Sequence, residues 1–127
     1  MPTFTKAERL SSKVAIDKLF ETGKSFHNFP FKVYWLKTAI GISSAQIVIS
    51  VPKRIYKRAV DRNKVKRLIR EAYRKNKDSF YEKLNNKKIS LMFIYTSKTI
   101  INYKEMEEKV VQTLQRLSKN INSESGL

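Results

Sequence analysis

The sequence predicts an α+β fold, a single domain in which helices pack on a sheet. Three observations carry that prediction: segments with strand-like alternation or short apolar runs, longer segments with apolar residues at helical spacing, and no internal repeat or low-complexity linker in 127 residues. A chain of this length makes one ordinary domain. Residues 1–121 are read as that domain and residues 122–127 as a disordered tail.

Ser11 and Ser12 suit the cap of a first helix, Gly23 suits its stop, and Ile16, Leu19 and Phe20 give it a short apolar face. Phe29, Phe31, Val33 and Trp35 then alternate with Lys32, Tyr34 and Leu36, the pattern of a half-buried strand, and Pro30 keeps its start near an edge. Residues 45–51 are rich in β-branched side chains and stop at Pro52, which makes a second strand. Asp61 reads as the N-cap of a long helix with Val65, Leu68, Ile69, Ala72 and Tyr73 on its buried stripe. That helix ends near Leu84, where Asn85-Asn86 makes a turn. Residues 89–95 form an almost continuous apolar run, a central strand. Asn102 with Glu105 resembles a capping box for a last helix, whose stripe is Tyr103, Met106, Val110, Leu114, Leu117 and Ile121. Residues 57–60 leave room for a small extra strand.

Charge narrows the function. Against 27 Lys and Arg stand 11 Asp and Glu, a net +16. Self-repulsion of that size opposes compaction, so a polyanionic partner is expected, nucleic acid ahead of an anionic membrane surface. No apolar run approaches the ~20 residues of a membrane span, and the N-terminus lacks the pattern of a secretion signal. Without cysteine there is no disulfide framework or thiolate metal site, which fits the cytoplasm. Residues 53–77 hold 12 basic residues against Asp61 and Glu71, so +10 of the +16 falls in one fifth of the chain. Arg62, Lys66, Arg70 and Arg74 recur every four residues. Neighbours in such a ladder repel by roughly 0.2–0.5 kcal/mol per pair, a cost that a merely soluble helix avoids by interspersing acids. A row of cations on a docked helix neutralises phosphates and releases counterions.

Catalytic groups are scarce. His27 is the single histidine, read as an exposed loop or strand-edge side chain, and Gly23, Gly41 and Gly126 are too scattered for a phosphate-cradling loop. Glu71, Asp78 and Glu82 fall near one helix face, yet Glu71 and Asp78 are separated by about 10 Å along the axis, too far to share one ion. No catalytic constellation is visible.

The stretch Lys53-Arg54, then Arg58-Ala59-Val60-Asp61-Arg62-Asn63-Lys64-Val65-Lys66-Arg67-Leu68-Ile69-Arg70-Glu71-Ala72-Tyr73, resembles the signature of the bacterial ribonuclease P protein component family. The likeness extends from Arg9-Leu10 and the Phe20 to Gly23 helix end, through the Tyr34 strand, to the final helix. It implies a four-stranded sheet with helices and a left-handed β-α-β crossover (ribosomal protein S5 domain 2-like), where crossovers are ordinarily right-handed. It also implies two RNA surfaces. Lys53, Arg54, Arg58, Arg62, Asn63, Lys66, Arg67 and Arg70 would lie on the catalytic RNA. Ile16, Phe20, Phe31 and Tyr34 would line a cleft for the single-stranded 5′ leader of precursor tRNA. Ile16 stands where the family commonly has an aromatic, and the loop before Ala59 carries Tyr56, Lys57 and Arg58 with no glycine.

The resemblance implies an endoribonuclease in which the RNA subunit, with Mg²⁺, hydrolyses the bond between leader and tRNA. The protein, itself not catalytic, lowers phosphate repulsion and holds the leader, with no membrane and no further protein partner required. Three rivals compete: a non-enzymatic ribosomal or assembly protein, which leaves the Arg-Asn signature unexplained; a major-groove DNA reader, which wants a short helix where Pro52 and a strand stand; and a stand-alone nuclease, which wants the missing constellation.

Overall fold

The computed structural model describes residues 6–38 and 44–125. A 3₁₀ turn, Lys6–Glu8, leads into α1 (Lys13–Thr22). Ser12 caps α1 by accepting a hydrogen bond from the Ala15 amide at 3.3 Å. Gly23 closes it, donating its amide to the Leu19 carbonyl at 3.0 Å. Glycine is required there by close approach: a Cβ would stand 2.3 Å from the Leu19 oxygen.

Four strands follow: β1 (Lys24–Asn28), β2 (Phe31–Thr38), β3 (Ala45–Ser50) and β4 (Lys88–Tyr95), in the sheet order β1-β2-β4-β3. β1, β2 and β4 are antiparallel neighbours, whereas β3 runs parallel to β4 and joins it through α2 (Ala59–Lys83). The final helix, α3, spans Tyr103–Ser125. Together these make a single α+β domain, as the sequence predicts, with the four-stranded sheet that the family resemblance implies.

The alternation in β2 separates two layers. Phe31, Val33 and Trp35 join Ile47, Leu91, Phe93 and Tyr95 in the main core, which also takes Val65, Ile69, Ala72, Tyr73 and Phe80 of α2 and Met106, Val110, Leu114, Leu117 and Ile121 of α3. The other sheet face carries a smaller cluster, Leu10, Leu19 and Met92, with Ala15, Ile16, Tyr34, Leu36, Val48 and Ile94 packed around it. So α1 sits on one face, and α2 and α3 sit on the other.

Several boundaries correct the sequence reading. β1 takes the place of the extra strand anticipated at residues 57–60; that segment is a bend running into α2. β1 has a single inward apolar residue, Phe26, too little for a periodic signal. Phe29 belongs to the turn before β2, follows with a cis bond to Pro30, and is 66% exposed. α2 starts before Asp61, with Arg58 at the N-cap and no side-chain cap bond. Asp61 instead occupies the first turn, where a carboxylate also suits the positive end of the helix dipole. Asn85 and Asn86 do make the expected turn, both at positive φ. Asn102 caps α3, accepting from the Glu105 amide at 2.9 Å. Residues 122–125 of the expected tail continue α3, because Ile121 is still fully buried and Asn122 hydrogen-bonds the Lys83 carbonyl at 2.9 Å. The tail's last two residues lie outside the described residues.

Candidate nucleic-acid interface

α2 divides by face. Its buried stripe docks it on the sheet, and Asn63, Arg67 and Arg70 are exposed on the far side with Lys66 half-buried beside them. Lys53, Arg54 and Arg58 are exposed on the turn before the helix. That turn is held by the Ile55 and Tyr56 amides, both donating to the Pro52 carbonyl, and by the Tyr56 hydroxyl, which donates to the Ser97 carbonyl at 2.9 Å. Six of these seven side chains are basic, and all project from α2 or from the turn held against it.

Arg62 is different. Its Nη1 donates to the Tyr56 and Lys57 carbonyls at 2.8 and 2.9 Å, so it staples the turn to the helix. Arg74 is held by Glu71 through both guanidinium and carboxylate forks. The hydrogen bond from Arg74 keeps the Glu71 carboxyl below its ordinary range, so this anion stays charged and cancels its partner. The two ends of the cation ladder are thus engaged within the protein. Lys66 and Arg70, in the middle, remain at the rim.

The opposite sheet face holds the second surface. Phe20 of α1 is 49% exposed and stands edge-on to Tyr34, ring centroids 5.0 Å apart. The Lys32 ammonium lies over the Tyr34 ring, 5.1 Å from its centroid. Strand register extends this face: Tyr34 is level with Met92 and Val48, and Lys32 with His27, Ile94 and Ser50. His27 is exposed on the edge strand β1, as expected. Ile16 is half-buried against Leu10, Leu19 and Met92 on the same face.

Phe31 is a correction. It is fully buried on the other face, 5.3 Å from Phe93 and 6.0 Å from Tyr95 between centroids, and cannot reach a strand lying beside Tyr34. The alternation of β2 had already set Phe31 and Tyr34 on opposite faces; only the resemblance put them together. Three residues beside these surfaces were not named as site candidates. Lys32 carried a legible signal, its alternation with Tyr34. Arg9 and Ser11 carried none for such a role, because the segment before α1 has no periodicity.

Among the described residues no group of three or more His, Asp or Glu side chains converges as a metal site, and no helix is long and apolar enough to cross a membrane. A basic helix on one face of a small sheet and an aromatic pair beside a lysine on the other are the features of a nucleic-acid-binding protein of the α+β class. A profile of the Ribonuclease P family matches residues 4–118. The chain belongs to the ribonuclease P protein component family, whose work is tRNA processing.

The ribonuclease P protein component of Porphyromonas gingivalis is 35% identical over 127 residues, covering 96% of this chain and 93% of that one. The protein of the same description from Clostridium novyi is 32% identical, covering 87% and 94%. Among solved structures, the RNase P protein from Thermotoga maritima superposes with a TM-score of 0.70 at 27% identity, covering 86% of this chain and 96% of that chain. The Staphylococcus aureus RNase P protein gives 0.72 at 23% identity, over 90% and 97%, a likeness of fold. Family membership favours the ribonuclease P reading over a ribosomal or assembly protein.

Proposed function

We propose that this chain is the RNA-positioning subunit of a ribonuclease P whose RNA subunit performs the hydrolysis. Lys53, Arg54, Arg58, Asn63, Lys66, Arg67 and Arg70 bind that catalytic RNA, and Arg62 shapes the turn that presents the first three. Phe20, Tyr34 and Ile16, with Lys32, hold the single-stranded 5′ leader of precursor tRNA. The observation that carries this reading is the Lys32–Tyr34–Phe20 constellation, an aromatic pair beside a cation on a half-exposed sheet face. Such a face stacks unpaired bases and neutralises the adjoining phosphates.

Mg²⁺ supplies the charge stabilisation that phosphodiester hydrolysis needs. Glu71, committed to Arg74, and Glu8, committed to Lys77, fit that role poorly. This reading assigns the metal to the RNA subunit and places the complex in the cytoplasm. Mature tRNA has no leader for the cleft, so the same contacts favour substrate over product. Purified protein incubated with precursor tRNA and Mg²⁺, with and without the cognate RNA, tests the division of labour. Cleavage is expected with the RNA, and stimulated by the protein at moderate salt. Robust cleavage by RNA-free protein would overturn it.

A further inference from the structure

β3 is an edge strand, and its outer edge is only partly covered. The segment before α1 runs along it: Arg9 forms a parallel bridge with Ile47, and the Leu10 amide donates to the Ile47 carbonyl at 2.9 Å. Gln46 holds the same segment through the Ala7 carbonyl at 3.1 Å. Beyond this contact a groove of about 230 Å³ opens between the segment, β3 and α2. Its floor is apolar, Leu10 with Ile47, Val48 and Ile49, and its rim is Arg9, Ser11, Lys66 and Arg70. No carboxylate lines it, and the neighbouring Glu8 points away into a buried ion pair with Lys77.

We propose that this groove is a third RNA contact, taking one phosphodiester of a single-stranded segment between Arg9, Lys66 and Arg70, with an adjoining base or ribose over the apolar floor. Three observations converge on it. Lys66 and Arg70 are the two ladder cations that Arg62 and Arg74 leave without an internal partner of the kind those two have, and their mutual repulsion is relieved by an anion between them. Arg9 brings a guanidinium from a different part of the chain to the same rim, and Ser11 adds a hydroxyl donor, a set suited to phosphate oxygens. Finally, the groove joins the two surfaces already described: Leu10 and Val48 also belong to the α1 cluster, whereas Lys66 and Arg70 belong to the α2 face. A strand passing from the cleft to the helical face would cross the sheet at this edge.

The inference rests on the RNA-binding reading of α2 and the cleft. The phosphodiester can come from the catalytic RNA or from the leader of precursor tRNA, and the test separates them. Because the chain has no cysteine, Ser11→Cys, Arg67→Cys and Lys119→Cys each introduce one thiol for a tethered hydroxyl-radical probe. Each is assembled into the holoenzyme with precursor tRNA, with the catalytic RNA end-labelled in one arm and the precursor in the other. Strand cuts from Ser11→Cys are expected at unpaired nucleotides of one RNA, well above those from Lys119→Cys, and the labelled arm identifies the source. Arg9→Ala should then weaken binding of that RNA several-fold and lower the magnitude of its log-affinity versus log-salt slope by about 0.7, while Arg9→Lys keeps the slope. Cuts from Arg67→Cys but only background from Ser11→Cys would overturn the groove and leave the α2 interface standing. Background from both would overturn the two together.

Discussion

Lys77 places its ammonium 2.7 Å from both carboxylate oxygens of Glu8, and both side chains are buried. The Tyr81 hydroxyl donates to the same carboxylate at 2.5 Å and lies 3.2 Å from the Tyr73 hydroxyl. This network ties the segment before α1 to α2. Glu8→Ala strips a buried ammonium of its carboxylate, and a loss of about 3–5 kcal/mol is expected in urea denaturation. Replacing both members by apolar residues of similar size, Glu8→Leu with Lys77→Met, should recover most of that loss. If it does not, the pair matters for more than its charge.

Phe20 and Tyr34 form the second relationship with a measurable consequence. Phe20 is half-exposed and Tyr34 half-buried, so neither truncation should unfold the protein. Stacking on an aromatic is worth roughly 1–3 kcal/mol per base, so Phe20→Ala or Tyr34→Ala should weaken leader-bearing precursor tRNA by at least several-fold. Mature tRNA should bind as before. An unchanged precursor-to-mature affinity ratio in two folded variants would remove the leader from this cleft.

Arg62 and Arg67 lie on one helix yet should behave oppositely. Arg67 is exposed, and Arg67→Ala should leave the thermal midpoint in place while reducing the salt slope for catalytic-RNA binding by about 0.7–0.9. Arg62→Ala frees the Tyr56 and Lys57 carbonyls and should cost about 1–3 kcal/mol of stability, since these are charge-assisted hydrogen bonds. Equal melting temperatures for the two variants would contradict the staple.

Alkaline pH should expose the burial of Tyr73. Burial, first, and then its neighbour Tyr81 push the Tyr73 hydroxyl well above its ordinary value. Its unfolded counterpart titrates near 10, so this contribution to stability is complete below about pH 10. It declines as pH rises from there toward the folded value, because only the unfolded chain releases the proton. Urea midpoints measured across that window should fall for the native protein and fall less for Tyr73→Phe. Parallel curves would show that another group governs the loss.

Local chemistry alone settled the helices with strong stripes, the apolar strand β4, the two-faced strand β2, and the concentration of charge between Lys53 and Lys77. Each is written in nearest neighbours along the chain: spacing, capping and like-charge repulsion act over a few residues, and the family signature lies in the same continuous stretch. The tertiary structure decided what depends on residues far apart in sequence. β1 exists because β2 offers it hydrogen-bonding partners, despite its single inward Phe26. Phe31 is core and Tyr34 is cleft because α2 and α3 cover one sheet face and the short α1 only part of the other. Arg62 and Arg74 leave the cation row because backbone carbonyls and Glu71 capture them. Arg9 lines one groove with Lys66 and Arg70, and its neighbour Glu8 is buried on Lys77, a contact between residues 69 positions apart that no local pattern encodes.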